Sequence, residues 1–172
     1  MAEARVIKEA FLRNAEVLAA KPAARLSTGR VEVHMREGLT CDIVSGPWTL
    51  RVDMPEAVGG EASGPRPGVL AAGALGSCLA IMVGLWAARL DVSIGPVTVE
   101  VEFDSDARVL FGVGDVPPRW KSLRYILTVE SDAPEEEIRR VVELAHRQSH
   151  VRGDFEHPFA VGREVRIVAP AA

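Results

Sequence analysis

Residues 59–80 read GGEASGPRPGVLAAGALGSCLA, and this stretch carries most of the information about the fold. A loop rich in glycine and proline leads to Pro67, which suits the first position of a helix because its missing N–H needs no partner there. From Pro67 to Ala88 the chain has no charged residue, and Cys78 lies in the middle of this run. The pattern predicts a long uncharged helix from Pro67 to about Leu90 that carries one cysteine.

This uncharged run is also long enough to cross a bilayer. It is rich in glycine, alanine and serine, however, and amphipathic strands lie before and after it. We therefore interpret it as a fully buried core helix rather than a membrane span. Residues 1–18 carry charge at most helical turns and lack the apolar centre of a secretory signal. We expect a cytoplasmic protein without a membrane partner.

The composition is that of one soluble domain. The chain has 172 residues, of which 48% are apolar and 26% charged, with a net charge of −4. The apolar content argues against disorder, and the acidic balance argues against a nucleic-acid partner. Two cysteines without a CxxC motif exclude a disulfide-rich scaffold and a four-thiolate zinc site.

Apolar residues outside the central run follow the spacing of amphipathic elements. Residues 3–20 have a helical stripe, and another helix is expected from a cap at Asp132 to about Gln148. Alternating strands are expected at residues 30–36, 40–45, 48–53, 96–104, 123–131 and 161–168.

This order of elements lacks the βαβ alternation of a parallel sheet, so the predicted class is α+β. The first three strands are separated by short turns, which indicates an antiparallel meander. We expect a helical extension over residues 1–24, followed by one domain over residues 25–172.

Residues 59–80 resemble the OsmC/Ohr family in their glycine pair, their Gly-Pro-rich loop, the proline that opens a long helix and the small-residue run that ends in cysteine. The spacing from Pro67 to Cys78 matches the family, and the order of elements agrees over residues 28–168. The resemblance implies an OsmC-like fold, with antiparallel sheets around a long buried central helix. It also implies an intertwined homodimer with two active sites at the subunit interface.

The resemblance further implies thiol-dependent reduction of organic hydroperoxides, as part of a stress response. Cys78 matches the peroxidatic cysteine, whose thiolate attacks the O–O bond and becomes a sulfenic acid. Arg36, in the turn MREG at residues 35–38, matches the arginine that stabilises the thiolate. In the family a second cysteine near the end of the second helix then resolves the sulfenic acid as a disulfide.

The chain departs from the family at that second cysteine. Ser149 stands in its place and His150 stands where the family has proline, so the usual resolving disulfide cannot form. The glutamate that fixes the arginine in the Ohr branch is also missing, because its position is Gly68. Glu61, in the loop before the helix, is a possible replacement.

Several interpretations of the site therefore remain open. Cys41 resolves Cys78 if the fold brings the two within disulfide range, or an external thiol reductant does so. Alternatively the protein is not a peroxidase and binds an apolar or electrophilic small molecule at the dimer interface, with Ser149 and His150 as polar contacts. Cys78 can also be an inert core residue, since free cysteines are often buried.

The sequence contains no cofactor motif, and we expect no cofactor. His146 and His150 have the i, i+4 spacing that suits zinc on a helix, but a third ligand is not evident nearby. We therefore expect no metal site.

Overall fold

A computed structural model describes residues 3–157 and 159–169 of the chain. These residues form an α+β structure with two antiparallel sheets, and this confirms the predicted class. The elements in chain order are α1 (Ala4–Ala20), β1 (Glu32–Met35), β2 (Cys41–Ser45), β3 (Trp48–Val52), α2 (Pro67–Leu90), β4 (Val97–Asp104), α3 (Arg108–Phe111), β5 (Ser122–Val129), α4 (Glu135–Gln148) and α5 (His150–Glu156).

The first sheet has the order β1-β2-β3, with both pairs antiparallel. Its hairpin turns contain Gly38 and Gly46, which adopt positive φ angles of 65° and 54° that other residues rarely tolerate. The meander predicted from the alternating pattern is confirmed. β4 and β5 form the second sheet, a separate antiparallel hairpin.

The central helix α2 begins at Pro67 and ends at Leu90, as predicted. It packs against α4, β4 and α1. Gly76 permits a close approach to β4, because a Cβ at this position would lie 3.3 Å from Cγ2 of Val101. The main core cluster joins α2 to α4 through four buried side chains, Val83, Ala87, Val141 and Ala145.

Only one face of α2 is buried within the single chain. A stripe at four-residue spacing on the other face is exposed: Val69, Gly73, Ser77 and Ile81, of which Ile81 is 62% exposed. By length and composition α2 is also the helix, within the described residues, that could cross a bilayer. Its contacts with α4, β4 and α1 are those of a core helix with one uncovered side.

The amino-terminal helix α1 lies against the carboxyl-terminal half of α2. The ring of Phe11 meets that of Trp86 edge to face, with 5.3 Å between ring centroids. Lys8 forms an ion pair with Asp91, which ends α2 in a left-handed conformation at φ 58°. These contacts hold α1 against α2 next to the main core cluster, against which Trp86 also packs.

Three local features differ from the sequence-based expectations. The loop expected over residues 105–121 contains the short helix α3, and α5 follows directly after α4. The amino-terminal cap position of α4 is Pro134 rather than Asp132. Ser131 is the residue that organises this turn, because its Oγ accepts from the Ala133 N–H and donates to the Ser93 carbonyl.

The strand expected at residues 161–168 is absent from the described chain, where this segment is irregular. The reason is that it has no strand beside it to pair with. Its apolar side chains are therefore uncovered, and Ile167 is 94% exposed. The prediction of a strand here was wrong, because a strand also needs a neighbour for its backbone groups.

Candidate functional site

The centre of the site is a contact between the central helix and the end of α4. Ser149 lies at the junction of α4 and α5, and its hydroxyl oxygen is 3.4 Å from the Sγ of Cys78. Cys78 is half-buried, while Ser149 is only 2% exposed. The family resemblance relates position 149 to the cysteine that acts on position 78, and the structure places these two side chains in contact.

The local structure fixes both partners of this contact. Val141 and Ala145 are buried against α2 and set the depth at which α4 ends. Ser149 then caps α5, and its Oγ accepts a hydrogen bond from the Arg152 N–H at 3.4 Å. Because an oxygen lone pair is used in the cap, the hydroxyl proton is free to point at Cys78.

A polar cluster continues from Ser149 towards β5. The Nε of Arg152 donates to the His146 carbonyl at 2.9 Å, and its guanidinium pairs with Glu156. The hydroxyl of Tyr125 forms a short hydrogen bond with Nδ1 of His146. Burial raises the pKa of Tyr125, so its phenol stays protonated at neutral pH.

Arg36 lies at the end of the first hairpin and is 61% exposed. Its Nε donates to Oδ2 of Asp42 at 2.8 Å, and Asp42 also lies 3.6 Å from Nε of Arg51. The hydrogen bond from Arg36 lowers the pKa of this buried carboxyl, so it remains charged. Among the described residues, no hydrogen bond or ion pair joins Arg36 to Cys78 or to Glu61.

The loop before α2 is organised by a second buried carboxylate, that of Asp53, which is 1% exposed. It accepts from the backbone N–H groups of Met54, Glu61 and Ser63 at 2.7, 3.2 and 3.0 Å, and from the Ser63 hydroxyl at 2.8 Å. These bonds, above all the one from the Ser63 N–H, lower the pKa of Asp53 to about 2. The loop is thereby held in the shape that leads into Pro67.

In the described part of the chain, no side-chain hydrogen bond or ion pair joins Cys41, Glu61 or His150 to this centre. Cys41 is the first residue of β2, where it faces Met35 and Val52 on the neighbouring strands, and both it and Cys78 are free thiols. Glu61 has an exposed side chain and takes part only through its backbone N–H. His150 is the exposed first residue of α5.

The His146 and His150 pair does not gather further ligands. Within residues 3–157 and 159–169, no three histidine, cysteine, aspartate or glutamate side chains lie close enough together to hold a metal ion. Nδ1 of His146 is instead engaged by Tyr125.

A large cavity of about 1180 Å³ opens beside the site. Leu75, one turn before Cys78 on α2, and Arg152, next to Ser149, both contribute to its wall. Much of the rest of the wall is aromatic or aliphatic, including Trp120 and Phe155. Phe103, Trp120 and Phe155 form a stack, with centroid separations of 4.4 and 5.6 Å.

Sequence reasoning missed Asp42, Asp53, Tyr125 and Arg152. The roles of Asp42 and Asp53 depend on local strand register and loop shape. A signal for Asp42 was available, because the meander register places it opposite Arg51 on the same face of the sheet. Tyr125 joins the site through a contact between distant elements, β5 and α4, which no spacing in the sequence indicates. Arg152 joins it through contacts at the junction of α4 and α5, which depend on α5, a helix that the sequence analysis did not predict.

The fold was compared with solved structures. An OsmC-like protein from Mycoplasma pneumoniae matches with a TM-score of 0.65 and 14% identity, over 77% of this chain and 89% of that one. An organic hydroperoxide resistance protein from Legionella pneumophila matches with a TM-score of 0.55 and 20% identity, over 77% and 91%. The organic hydroperoxide resistance protein of Bacillus subtilis matches with a TM-score of 0.50 and 20% identity, over 76% and 93%.

These similarities confirm the OsmC-like fold. No curated protein sequence matches the chain. The family model described as OsmC-like protein matches residues 60–161, which is more than half of the 172 residues. The chain therefore belongs to the OsmC-like protein family.

Proposed function

We propose that this protein reduces organic hydroperoxides in the cytoplasm with Cys78 as its single peroxidatic cysteine. The observation that carries the proposal is the position of Cys78, which is half-buried on the central helix with the Ser149 hydroxyl 3.4 Å from its sulfur. The Ser149 hydroxyl can donate a hydrogen bond to the Cys78 thiolate, the negatively charged form that would react with the peroxide. Relatives of this fold that are named organic hydroperoxide resistance proteins support the same reaction class.

The proposed reaction has two stages. The Cys78 thiolate attacks the terminal oxygen of the hydroperoxide, so an S–O bond forms while the O–O bond breaks. The alkoxide leaves and takes up a proton to become an alcohol, and Cys78 becomes a sulfenic acid. A small-molecule thiol then attacks the sulfur and releases water, and a second thiol frees Cys78 while the reductant leaves as its own disulfide.

An external thiol reductant is proposed because Ser149 cannot form a disulfide. Its hydroxyl occupies the place next to the Cys78 sulfur from which a second thiol would act. Cys41, the other cysteine, lies on β2 in the separate three-stranded sheet. In this proposal Ser149 hydrogen-bonds to the reacting sulfur and leaves the sulfenic acid for an outside thiol.

We further propose that the working protein is a homodimer. The exposed stripe of α2 contains Gly73 and Ser77, whose small side chains allow a second helix to approach closely, between Val69 and Ile81. The first sheet also leaves Val33, Met35 and Leu50 uncovered on one face. A second copy of the chain would cover both surfaces. Large exposed apolar surfaces of this kind are rare on monomeric proteins and mark interaction sites.

In the proposed dimer Arg36 acts on Cys78 from the first hairpin. Within the single chain its guanidinium is held by Asp42 but remains mostly exposed. Asp42 would take the part of the carboxylate that fixes this arginine in the Ohr branch. An oriented guanidinium can hold a thiolate and a peroxide oxygen together.

A second candidate function is binding without peroxide turnover. Ser149 favours this alternative, since it removes the usual resolving thiol. The protein would then hold an apolar or electrophilic small molecule in the cavity beside α2.

The two candidates are separated by measuring cumene hydroperoxide consumption with an excess of a small dithiol. We expect sustained turnover by the wild type, loss of at least about a thousandfold for Cys78→Ser, and little change for Cys41→Ser. Arg36→Gln should slow the reaction with the peroxide, with no change in the fold. Equal slow consumption by the wild type and Cys78→Ser would exclude the peroxidase and leave the binding function.

A further inference from the structure

One hydroxyl in the wall of the cavity beside Cys78 is bonded to a group that can exchange a proton with it. Tyr125 lines this cavity, and its phenol oxygen forms a short hydrogen bond with Nδ1 of His146 on α4. An unprotonated ring nitrogen of histidine accepts such a bond, and a protonated one donates it. The pair can therefore pass a proton from the imidazole towards the cavity.

Tyr125 approaches Cys78 from the second sheet. On β5 it lies directly opposite Val101 of β4, and the two side chains share the inner face of the hairpin. Val101 packs in turn against Gly76 of α2, where a Cβ would lie 3.3 Å from its Cγ2. Because Gly76 precedes Cys78 by two residues, Tyr125 lies one strand away from the segment of α2 that carries the sulfur.

His146 approaches the same sulfur from the end of α4. Its carbonyl accepts from the Ser149 N–H at 3.4 Å and from Nε of Arg152 at 2.9 Å. The Ser149 hydroxyl lies 3.4 Å from the Sγ of Cys78. Tyr125 and His146 are thus connected to the surroundings of Cys78 by two separate sets of contacts, and their hydrogen bond joins β5 to α4 beside the sulfur.

The surroundings of the phenol keep its proton available for transfer. Burial raises the pKa of Tyr125, Arg152 lowers it, and Glu156 and Glu143 raise it. The phenol is therefore protonated at neutral pH, and the positive charge of Arg152 lies where it can stabilise a transient phenolate. An alkoxide is a far stronger base than a phenolate, so a proton transfer from Tyr125 to an alkoxide is favourable.

We propose that Tyr125 is the general acid of the peroxide reaction and that His146 supplies its proton. The Cys78 thiolate attacks the terminal oxygen, the O–O bond breaks, and the departing alkoxide takes the phenol proton and becomes an alcohol. The phenol oxygen takes the proton from Nδ1 of a protonated His146, which becomes neutral and regains a proton from water because it is half-buried. This proton relay rests on the proposed function and names the source of the proton that the reaction consumes.

A peracid separates this role from a structural one. Peracetic acid releases acetate, which leaves without a proton, whereas cumene hydroperoxide releases an alkoxide, which needs one. The test uses full-length Cys41→Ser protein, in which Cys78 is the single thiol, and measures how much Cys78 iodoacetamide can still alkylate after timed exposure to each oxidant. We expect Tyr125→Phe to slow the reaction with cumene hydroperoxide about a hundredfold and that with peracetic acid by no more than about twofold.

A second variant tests the histidine. His146→Gln keeps a side chain that can accept a hydrogen bond from Tyr125 but cannot carry the proton, so it should slow only the hydroperoxide reaction, by about tenfold. Thr128→Val is the matched control, because it removes a hydroxyl from the exposed face of β5, outside the cavity, and it should change neither rate. Equal losses of the two rates in both variants, or no loss in either, would overturn the proposal. A loss confined to Tyr125→Phe would overturn the role of His146.

The peroxidase proposal and the proton relay fail in different ways. If neither oxidant reacts with Cys78 in the Cys41→Ser protein, the proposed reaction fails and the relay fails with it. If both oxidants react and Tyr125→Phe reacts as fast with cumene hydroperoxide, the reaction stands and the relay does not.

Discussion

At the scale of single residues, the contact between Ser149 and Cys78 determines, in the proposed reaction, how a sulfenic acid on Cys78 would be resolved. The Ser149 Oγ and the Cys78 Sγ lie 3.4 Å apart, and a disulfide needs its sulfurs about 2.05 Å apart. The difference between these two distances is about 1.4 Å, which a sulfur atom at position 149 would have to cover to form that bond. A cysteine at position 149 would therefore lie close enough to Cys78 to act as a resolving thiol.

Ser149→Cys should restore an internal disulfide. After one equivalent of cumene hydroperoxide we expect the variant to lose two hydrogens in mass, because the new thiol attacks the Cys78 sulfenic acid and releases water. His150→Cys is the matched control, since His150 is the exposed neighbour of Ser149, and it should not form this disulfide. A Ser149→Cys protein that stays oxygenated would show that the two positions do not approach as described.

Asp53→Asn should destabilise the protein at neutral pH. An amide cannot accept all four hydrogen bonds that the carboxylate accepts, and its NH2 group would face N–H donors of the loop. We expect a melting temperature lower by several degrees, measured by calorimetry. Ser63→Ala, which removes a single donor, should have a smaller effect.

The lowered pKa of Asp53 also predicts that the stability of the folded protein decreases at acidic pH. The pKa of Asp53 is lowered from 3.8 to about 2, so the folded state favours the charged form. Its contribution to stability is complete above pH 3.8 and is lost as the pH falls through about 2. The difference in melting temperature between wild type and Asp53→Asn should therefore shrink over this interval, and a constant difference would contradict the role given to Asp53.

Single residues were predictable to different degrees. Cys78 was singled out by its spacing from Pro67 and Ser149 by its place near the end of the second helix, and the structure brings the two side chains into contact, while their roles stay predictions. Asp42 was not identified because its pairing with Arg51 depends on strand register, and Arg152 was not identified because its contacts depend on the junction of α4 with the unpredicted helix α5. Arg36 remains a prediction, since in the single chain it pairs with Asp42.

At the scale of elements, the loop from Met54 to Pro65 determines where α2 begins. Gly60 lies against this loop's own backbone, and a Cβ there would be 1.9 Å from the Met54 carbonyl oxygen. Real Cβ atoms do not approach a carbonyl so closely. Gly60 is therefore needed for the fold of the loop.

Gly60→Ala should lower the free energy of unfolding by about 1–3 kcal/mol, because the backbone must move to relieve the overlap. Denaturant unfolding measures this change. Gly84→Ala on α2 is the matched control, since a Cβ there has no atom within 4 Å, and it should stabilise by about 0.5–1 kcal/mol. Equal effects of the two substitutions would contradict the close contact at Gly60.

The long helices and the paired strands were predicted well, and the two short helices were not. α2 begins and ends as expected because its uncharged run and Pro67 are strong local signals. α3 and α5, with four and seven residues, have little periodicity of their own and depend on neighbouring elements. The final strand was predicted from alternation alone, and alternation cannot supply a pairing partner.

At the scale of the whole molecule, the uncovered side of α2 predicts that two copies of the chain associate. Ile81→Asp would place a charge on this apolar stripe, and its burial against a second copy would be unfavourable. We expect a dimeric wild type and a monomeric variant by analytical ultracentrifugation. Val17→Asp, at an exposed position of α1, should remain dimeric; a monomeric wild type would contradict the proposed homodimer.

The most direct test of the central claim is the intact mass of the reduced protein after one equivalent of cumene hydroperoxide. With Cys78 as a single peroxidatic cysteine, the wild type and Cys41→Ser should each gain one oxygen, and Cys78→Ser should be unchanged. Adding a small thiol should then return the mass to that of the reduced protein. Loss of two hydrogens in the wild type but not in Cys41→Ser, or no difference between wild type and Cys78→Ser, would contradict the claim.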